Sequence, residues 1–299
     1  MPLYKGTTEI ASGKLYKGTT EIDKVYKGTS LVYEKTVPPI GINFLFAGGG
    51  GNGGTGGGAG GGLITSWGST QVGGQALPST INMDAISGIS YSITVGAATQ
   101  NTTLIRVNSN DSTQSTIFTA NAGGNGGSPG NGGGAAYSAG GASGGSGGGA
   151  GGRGNANNYS QFSASGGTGV PGQGFAGGNV SVYRGLFGGG GGGATSAGGG
   201  QSSSSQNHTD SGYGAGGSGL YSNITGSYVY YSQGGSGGSN TTQYTTTTNS
   251  GDAAQAGVGI LRMTTAIFNG ATLTGTYTTN TVGSDTVIIW TGNGTIAFA

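Results

Sequence analysis

Residues 185–200 read GLFGGGGGGATSAGGG, and the six consecutive glycines Gly188 to Gly193 carry no side chain to bury or to react. Such a run is either a mobile linker or a strand whose neighbours approach so closely that only glycine fits. Composition favours the second. Glycine supplies 75 of 299 residues, yet the net charge is only +1, so the high-charge half of the disorder signature is missing. Fixing a glycine costs about 0.5–1 kcal/mol more than fixing an alanine. Sixty-five glycines fall between residues 48 and 259, and a penalty repeated that often needs a favourable term that depends on the absent side chains. Close backbone-to-backbone packing supplies one. Polyglycine in the extended three-residue helix points every N–H and C=O outward, so such strands would bond to neighbours on several sides. Irregular glycine spacing and only six prolines exclude a collagen triple helix.

Working outward, residues 121–256 contain only ten Leu, Ile, Val or Phe, too few for a conventional core. The flanks differ. INFLFA (42–47) is an apolar strand with Ile42, Phe44 and Phe46 on one face, and ISYSITVG (89–96) alternates with Ile89, Tyr91, Ile93 and Val95 on one side. TLIRVNS and STIFTA read as further strands, as does VGILRMTTAIF (258–268), while Gly292-Asn293-Gly294 offers a turn between two strands near the C-terminus. No segment has a helical period. These patterns predict an all-β protein in which 41–120 and 257–299 form one β-rich scaffold. Residues 121–256 form a polyglycine-II-like lattice of glycine strands with loops at its ends.

The first 35 residues are a separate module. They hold Lys5, Glu9, Lys14, Lys17, Glu21, Asp23, Lys24, Lys27, Glu34 and Lys35, and they repeat LYKGTTEI, LYKGTTEI and VYKGTSLVYEK from Leu3, Leu15 and Val25. Each unit reads as strand, turn, strand around Gly6, Gly18 or Gly28, predicting a small β-meander over residues 1–40 that ends at Pro38-Pro39.

Side chains in the glycine-rich half concentrate between glycine runs. Tyr137, Tyr159, Tyr183, Tyr213, Tyr221, Tyr228, Tyr230, Tyr231 and Tyr244 lie there among Ser, Asn, Thr and Gln, with Phe162 nearby. Tyr, Ser, Gly and Asn make adaptable contact surfaces, because tyrosine offers large amphipathic area at low entropic cost. The Tyr228, Tyr230, Tyr231 cluster is accordingly expected to be exposed. Catalysis has little support. His208-Thr209-Asp210-Ser211 is a run within a polar loop, Asp84, Asp111, Asp210, Asp252 and Asp285 are scattered, and one histidine without cysteine makes no zinc site. The sequence therefore predicts no catalytic residue, no metal and no cofactor. A charge near zero gives no general attraction to nucleic acid. The N-terminus lacks a signal core and no apolar run reaches 18 residues, predicting a protein made in the cytoplasm and not inserted in a membrane.

The order of these segments carries a resemblance. A strand entering FLFAGGGGNGGTGGGAGGG, then YSITVGAAT, STIFTANAGG re-entering glycine, long glycine tracts and closure in GVGILRM resemble the glycine-rich domain of bacteriophage tail fibre and receptor-binding (adhesin) proteins, over about residues 42–264. The N-terminal repeats look like short repeats at the ends of phage virion proteins. The resemblance implies a virion protein at a tail fibre or its tip. Its N-terminal module, with Tyr4, Tyr16, Tyr26 and Tyr33, would attach to other tail or fibre proteins. Loops bearing Tyr159, Phe162, Tyr183, Tyr213, Tyr221, Tyr228, Tyr230, Tyr231 and Tyr244 would contact a host surface receptor, a glycan or an outer-membrane protein. Monomer and homotrimer both remain open, as does a head fibre or capsid decoration role; a glycan depolymerase is a third reading.

Overall fold

The computed structural model describes residues 39–76, 78–128, 140–152, 162–182, 187–203, 213–238 and 251–298, and the backbone of six short strands before them. Those six are β1 (Leu3–Lys5), β2 (Thr8–Ile10), β3 (Leu15–Lys17), β4 (Thr20–Ile22), β5 (Lys24–Lys27) and β6 (Ser30–Glu34). Each repeat folds on itself as a hairpin, with Leu3 opposite Ile10 and Leu15 opposite Ile22. The expected continuous meander is not formed: β1–β2, β3–β4 and β5–β6 are three separate two-stranded sheets, and no ladder joins them among the described residues. Within each repeat the two strands pair with one another. Gly6, Gly18 and Gly28 themselves lie outside the described residues.

The rest of the described chain is nearly all β. It comprises β7 (Ile40–Ala47), β8 (Leu63–Thr65), β9 (Ile81–Met83), β10 (Ile89–Thr94), β11 (Thr102–Asn108), β12 (Thr113–Ala120), β13 (Phe162–Ala164), β14 (Val180–Val182), β15 (Gln201–Ser203), β16 (Leu220–Ser222), β17 (Val229–Tyr231), β18 (Val258–Thr264), α1 (Thr265–Phe268), β19 (Ala271–Val282) and β20 (Asp285–Phe298). Strands from 40–120 and 258–298 share one nine-stranded sheet, in the order β12-β11-β10-β20-β18-β7-β8, with β19 also on β20 and β9 also on β7. β20 organises it. Its first half pairs with β18, residues 294–296 pair with β10, and β19 runs along its other side.

The two-residue period decides what is buried. Ile42, Phe44 and Phe46 of β7 join Ile89, Tyr91 and Ile93 of β10, with Leu261, Ile288, Trp290 and Ile296, in the main core. Phe118 stacks on Phe44 at 4.9 Å and meets Phe46 edge-on at 4.8 Å. Leu45 and Ala47, on the other face of β7, join Leu63, Val258, Ile260 and Val287 in a second cluster, where Ala194, Leu220, Ile224 and Tyr231 of the glycine-rich half cover them.

Two local expectations are corrected. The strand read over 258–268 stops at Thr264 and continues as the single turn α1. Ile267 and Phe268 both pack on the main core, which neighbouring residues of a flat strand cannot do because they point to opposite faces. Gly292-Asn293-Gly294 is not a turn but a bulge inside continuous β20. Gly275 (φ +92°) faces Gly294 and Tyr277 faces Trp290, so Thr276 alone opposes three residues. Asn293 Oδ1 accepts the Val95 N–H at 3.0 Å, tying the bend to β10.

The glycine segments are ordered without being sheet strands. Gly188 to Gly193 are all buried, and their N–H groups donate in rotation to three neighbours. Gly188 and Gly191 reach the carbonyls of Gly238 and Gly235, Gly189 and Gly192 those of Ala150 and Gly147, and Gly190 and Gly193 those of Gly199 and Ser196. Their carbonyls accept with the same period. Gly188 and Gly191 accept from Gly214 and Gly217, Gly189 and Gly192 from Gly57 and Gly60, and Gly190 and Gly193 from Gly178 and Phe175. One segment is thus bonded on six sides. Residues 56–62 repeat the pattern, with Gly56, Ala59 and Gly62 donating to Gly127, Gly124 and Asn121.

A Cβ at any of Gly188 to Gly193 would strike a neighbouring carbonyl oxygen; at Gly190 it strikes that of Ala215. Gly190→Val is therefore expected to cost more than the roughly 1–3 kcal/mol of ordinary overpacking, read as a large fall in melting temperature and faster proteolysis. Gly41, whose added Cβ would meet only ordinary contacts, should accept alanine within about 0.5 kcal/mol.

Candidate functional site

Bond direction sorts the glycine segments by end. Residues 147–150, 175–178, 196–199 and 235–238 run antiparallel to 188–193, and 57–60 and 214–217 run parallel. Ser128, Gly152, Val182, Ser203, Tyr213 and Gly238 consequently gather at the Gly188 end. The Gly193 end leads into Leu63, Leu220 and Tyr231, and so into the second core cluster.

The tyrosines expected to make contacts divide between these ends. Tyr213 is exposed at the Gly188 end and meets Phe187 edge-on, with ring centroids 5.0 Å apart. Tyr159, Tyr183 and Tyr244 lie outside the described residues, as do Tyr137, His208 and Asp210, and Phe162 is placed by its backbone in β13. Tyr4, Tyr16, Tyr26 and Tyr33 are likewise placed by backbone register, Tyr4 opposite Glu9 and Tyr16 opposite Glu21.

At the Gly193 end, β16 and β17 form a hairpin that pairs Leu220 with Tyr231, Tyr221 with Tyr230, and Ser222 with Val229. Strand alternation then splits the aromatic run. Tyr221, Tyr228 and Tyr230 are 53%, 61% and 45% exposed, whereas Tyr231 is 5% exposed. The expectation that Tyr231 is a surface residue is corrected: it shares the inward face with Leu220 and fills the second cluster. Burial pushes its phenol above the ordinary tyrosine value, opposed in part by a hydrogen bond with Thr225.

The three exposed rings form a column. Tyr221 stacks against Tyr228 at 4.7 Å and 21°, and against Tyr230 at 4.6 Å and 30°. Stacks of this separation contribute about 0.5–1.5 kcal/mol beyond area burial, so the rings hold one another in place. The connecting loop is held from below. Trp67 Nε1 donates to Asn223 Oδ1 at 2.8 Å, and Arg262 donates from Nη1 to the Ile224 carbonyl at 3.1 Å. The same guanidinium pairs with Asp285 at 2.8 Å and lies 4.3 Å over the Trp67 ring. Ile224 is fully buried, and Gly226 takes φ +91° to donate to the Asn223 carbonyl. Sequence reasoning missed Trp67, Arg262 and Asn223 as supports. Trp67 and Asn223 are 156 positions apart, so no local spacing announces the bond.

A second concavity is an open groove of about 520 Å³, lined by Thr99, Asn101, Asn121, Asn125, Ser143 and Thr168 among others. Among the described residues its lining has no titratable side chain, and several of its polar atoms are occupied: Asn101 Oδ1 accepts from Ala122 N, Asn125 Oδ1 from Asn52 N, and Ser143 bonds Thr168. Among the described residues no group of three or more His, Cys, Asp or Glu could hold a metal ion. Asp84 pairs with Arg106 at 2.7 Å, and hydrogen bonds from Thr113 hold the Asp111 carboxyl below the usual carboxylate range. No helix among the described residues is long and apolar enough to cross a membrane. The chain matches no protein-family model, no curated protein and no solved structure.

Trp67→Phe removes the indole donor, and the lost bond should cost about 1 kcal/mol. Amide exchange should quicken over residues 223–228 while the main sheet stays protected. The raised Tyr231 phenol favours the neutral form in the fold, so its stabilisation is complete below the unfolded value near pH 10 and is lost as pH rises above it. Tyr231→Phe should flatten that alkaline decline, measured by chemical denaturation between pH 8 and about 11. Burial raises Tyr91 also, so part of the decline should persist.

Proposed function

We propose that the chain is a bacteriophage virion protein, a tail fibre component or fibre tip that binds a host cell-surface receptor. The observation that carries this reading is the column Tyr221, Tyr228 and Tyr230, an exposed aromatic surface whose supporting loop is fastened by Trp67, Arg262 and the buried Ile224. Preorganised tyrosines flanked by Ser, Asn and Thr lower the ordering cost of recognition. Residues 219–232 carry no charge, which suits a neutral glycan or an uncharged protein loop.

The scaffold fits the same role. Bonding in rotation to six neighbours with a three-residue period supports reading the glycine segments as polyglycine II, in which backbone contacts replace an apolar core. Such a body holds its ends at fixed positions, as an adhesin requires. On this reading the N-terminal hairpins would join the tip to a preceding fibre protein of the virion.

Phage carrying Tyr228→Ala with Tyr230→Ala should adsorb to host cells at least about tenfold more slowly, as loss of contact hot spots does, while the purified protein stays folded and its melting temperature falls only by the several degrees that two lost ring stacks cost. Tyr213→Ala reports separately on the Gly188 end. Normal adsorption by every one of these variants would sink the receptor-binding reading, and immunogold label on capsids instead of tails would relocate the protein to the head.

A further inference from the structure

We propose that β19 is an association strand, and that a second copy of this chain adds to its outer edge in antiparallel register. The strand is twelve residues long and pairs only with β20 among the described residues. From Thr274 to Thr281 every residue is exposed. Its outer row of backbone N–H and C=O groups is therefore a template for another strand.

Proteins normally blunt such an edge with charge, proline, shortness, a bulge or a covering segment, and the bulge opposite Thr276 puts its extra residues in β20, leaving β19 continuous. Two other edges of this sheet are short, and a third, the eight-residue β12, is fastened at one end only. β8 and β9 have three residues each, and Gln173 reaches the end of β12, donating from Nε2 to the Thr119 carbonyl and accepting from Asn121 N. β19, reading ATLTGTYTTNTV, has no charged residue and no proline. Among the described residues its contacts with the tyrosine loop, Asn280 Nδ2 to the Thr225 carbonyl at 3.4 Å and Val282 beside Gly226, lie toward one end and leave Thr274 to Thr278 open.

The strand's own sequence argues for a copy as the occupant. A charge-free edge neither repels itself nor selects a charged partner, and a two-fold contact uses the same patch on both chains. With the axis at Thr276, Thr276 faces its own copy, Thr274 faces Thr278, and Tyr277 faces Gly275, whose missing side chain leaves room for the ring. Threonine pairs of this kind already join β19 to β20, where the Thr274 and Thr295 hydroxyls are 2.7 Å apart. Cross-strand threonine and aromatic pairs are among those that stabilise antiparallel sheets.

The full chain contains no cysteine, so single substitutions give a clean test. Light scattering should show a concentration-dependent dimer for the wild type. Thr276→Cys should form an intermolecular disulfide under mild oxidation, while Ser115→Cys, exposed on β12, should not. Thr278→Lys should give a monomer with an unchanged circular dichroism spectrum and melting temperature. A wild type that stays monomeric at every concentration, a dimer that survives Thr278→Lys, or cross-linking at Ser115 as efficient as at Thr276 would each overturn the proposal; the first would leave the edge to a different protein.

Discussion

The structure rests on backbone hydrogen bonds that point outward with a period of three. Around Gly188 to Gly193, N–H groups rotate among three neighbouring segments and C=O groups among three others. Buried backbone groups must find partners, and here they find them without forming a sheet. This geometry accounts for the composition. A central segment has no solvent-facing side, so a Cβ at almost any of its positions meets a carbonyl oxygen. The entropic penalty of glycine is accepted because no other residue leaves space for six neighbours.

Such a body has few side chains with which to attach itself to anything. Apolar contact with the sheet falls to the few residues at the Gly193 end, where Ala194, Leu220, Ile224 and Tyr231 pack on Leu45, Val258, Ile260 and Val287, and Gln173 and Arg262 add hydrogen bonds across the same junction. β7 is thus buried on both faces, carrying Phe44 and Phe46 into one core and Leu45 and Ala47 into the other. It also runs straight into Gly48, whose N–H donates to the Gly62 carbonyl. One strand belongs to the sheet and to the glycine body, which couples the two by covalent continuity and by packing.

Much of this was legible, and the failures share a cause. Alternation placed Ile42, Phe44 and Phe46, and Ile89, Tyr91 and Ile93, on the correct faces because a strand's period acts over neighbouring residues. Glycine excess pointed to ordered close packing because its entropic cost is a property of composition. The bulge at Gly292-Asn293-Gly294 resembled a turn because glycine and asparagine serve both. Only the pairing of β19 along all of β20 distinguishes them. Tyr231 was misplaced by grouping neighbours in VYY, where the inward phase of Leu220, its cross-strand partner, gives the correct face. The supports of the tyrosine loop were invisible because Trp67, Asn223 and Arg262 are far apart in sequence and meet only through the tertiary fold.

On the proposed receptor-binding reading, stability and recognition reside in different chemical groups. In a protein with a conventional core, the side chains that hold the fold restrict those available to a neighbouring surface. Here the glycine body is held by backbone atoms, and the β16–β17 hairpin shares that duty only through the residues that face inward. The β16–β17 hairpin shows the division at single-residue resolution: Leu220 and Tyr231 fasten it, while Tyr221 and Tyr230, directly beside them in sequence, stand outward and stack. Changes at the outward positions remove contact area without opening a cavity, whereas changes at the inward ones strike a cluster in which every residue also supports the sheet. The surface can therefore vary while the body that presents it stays fixed.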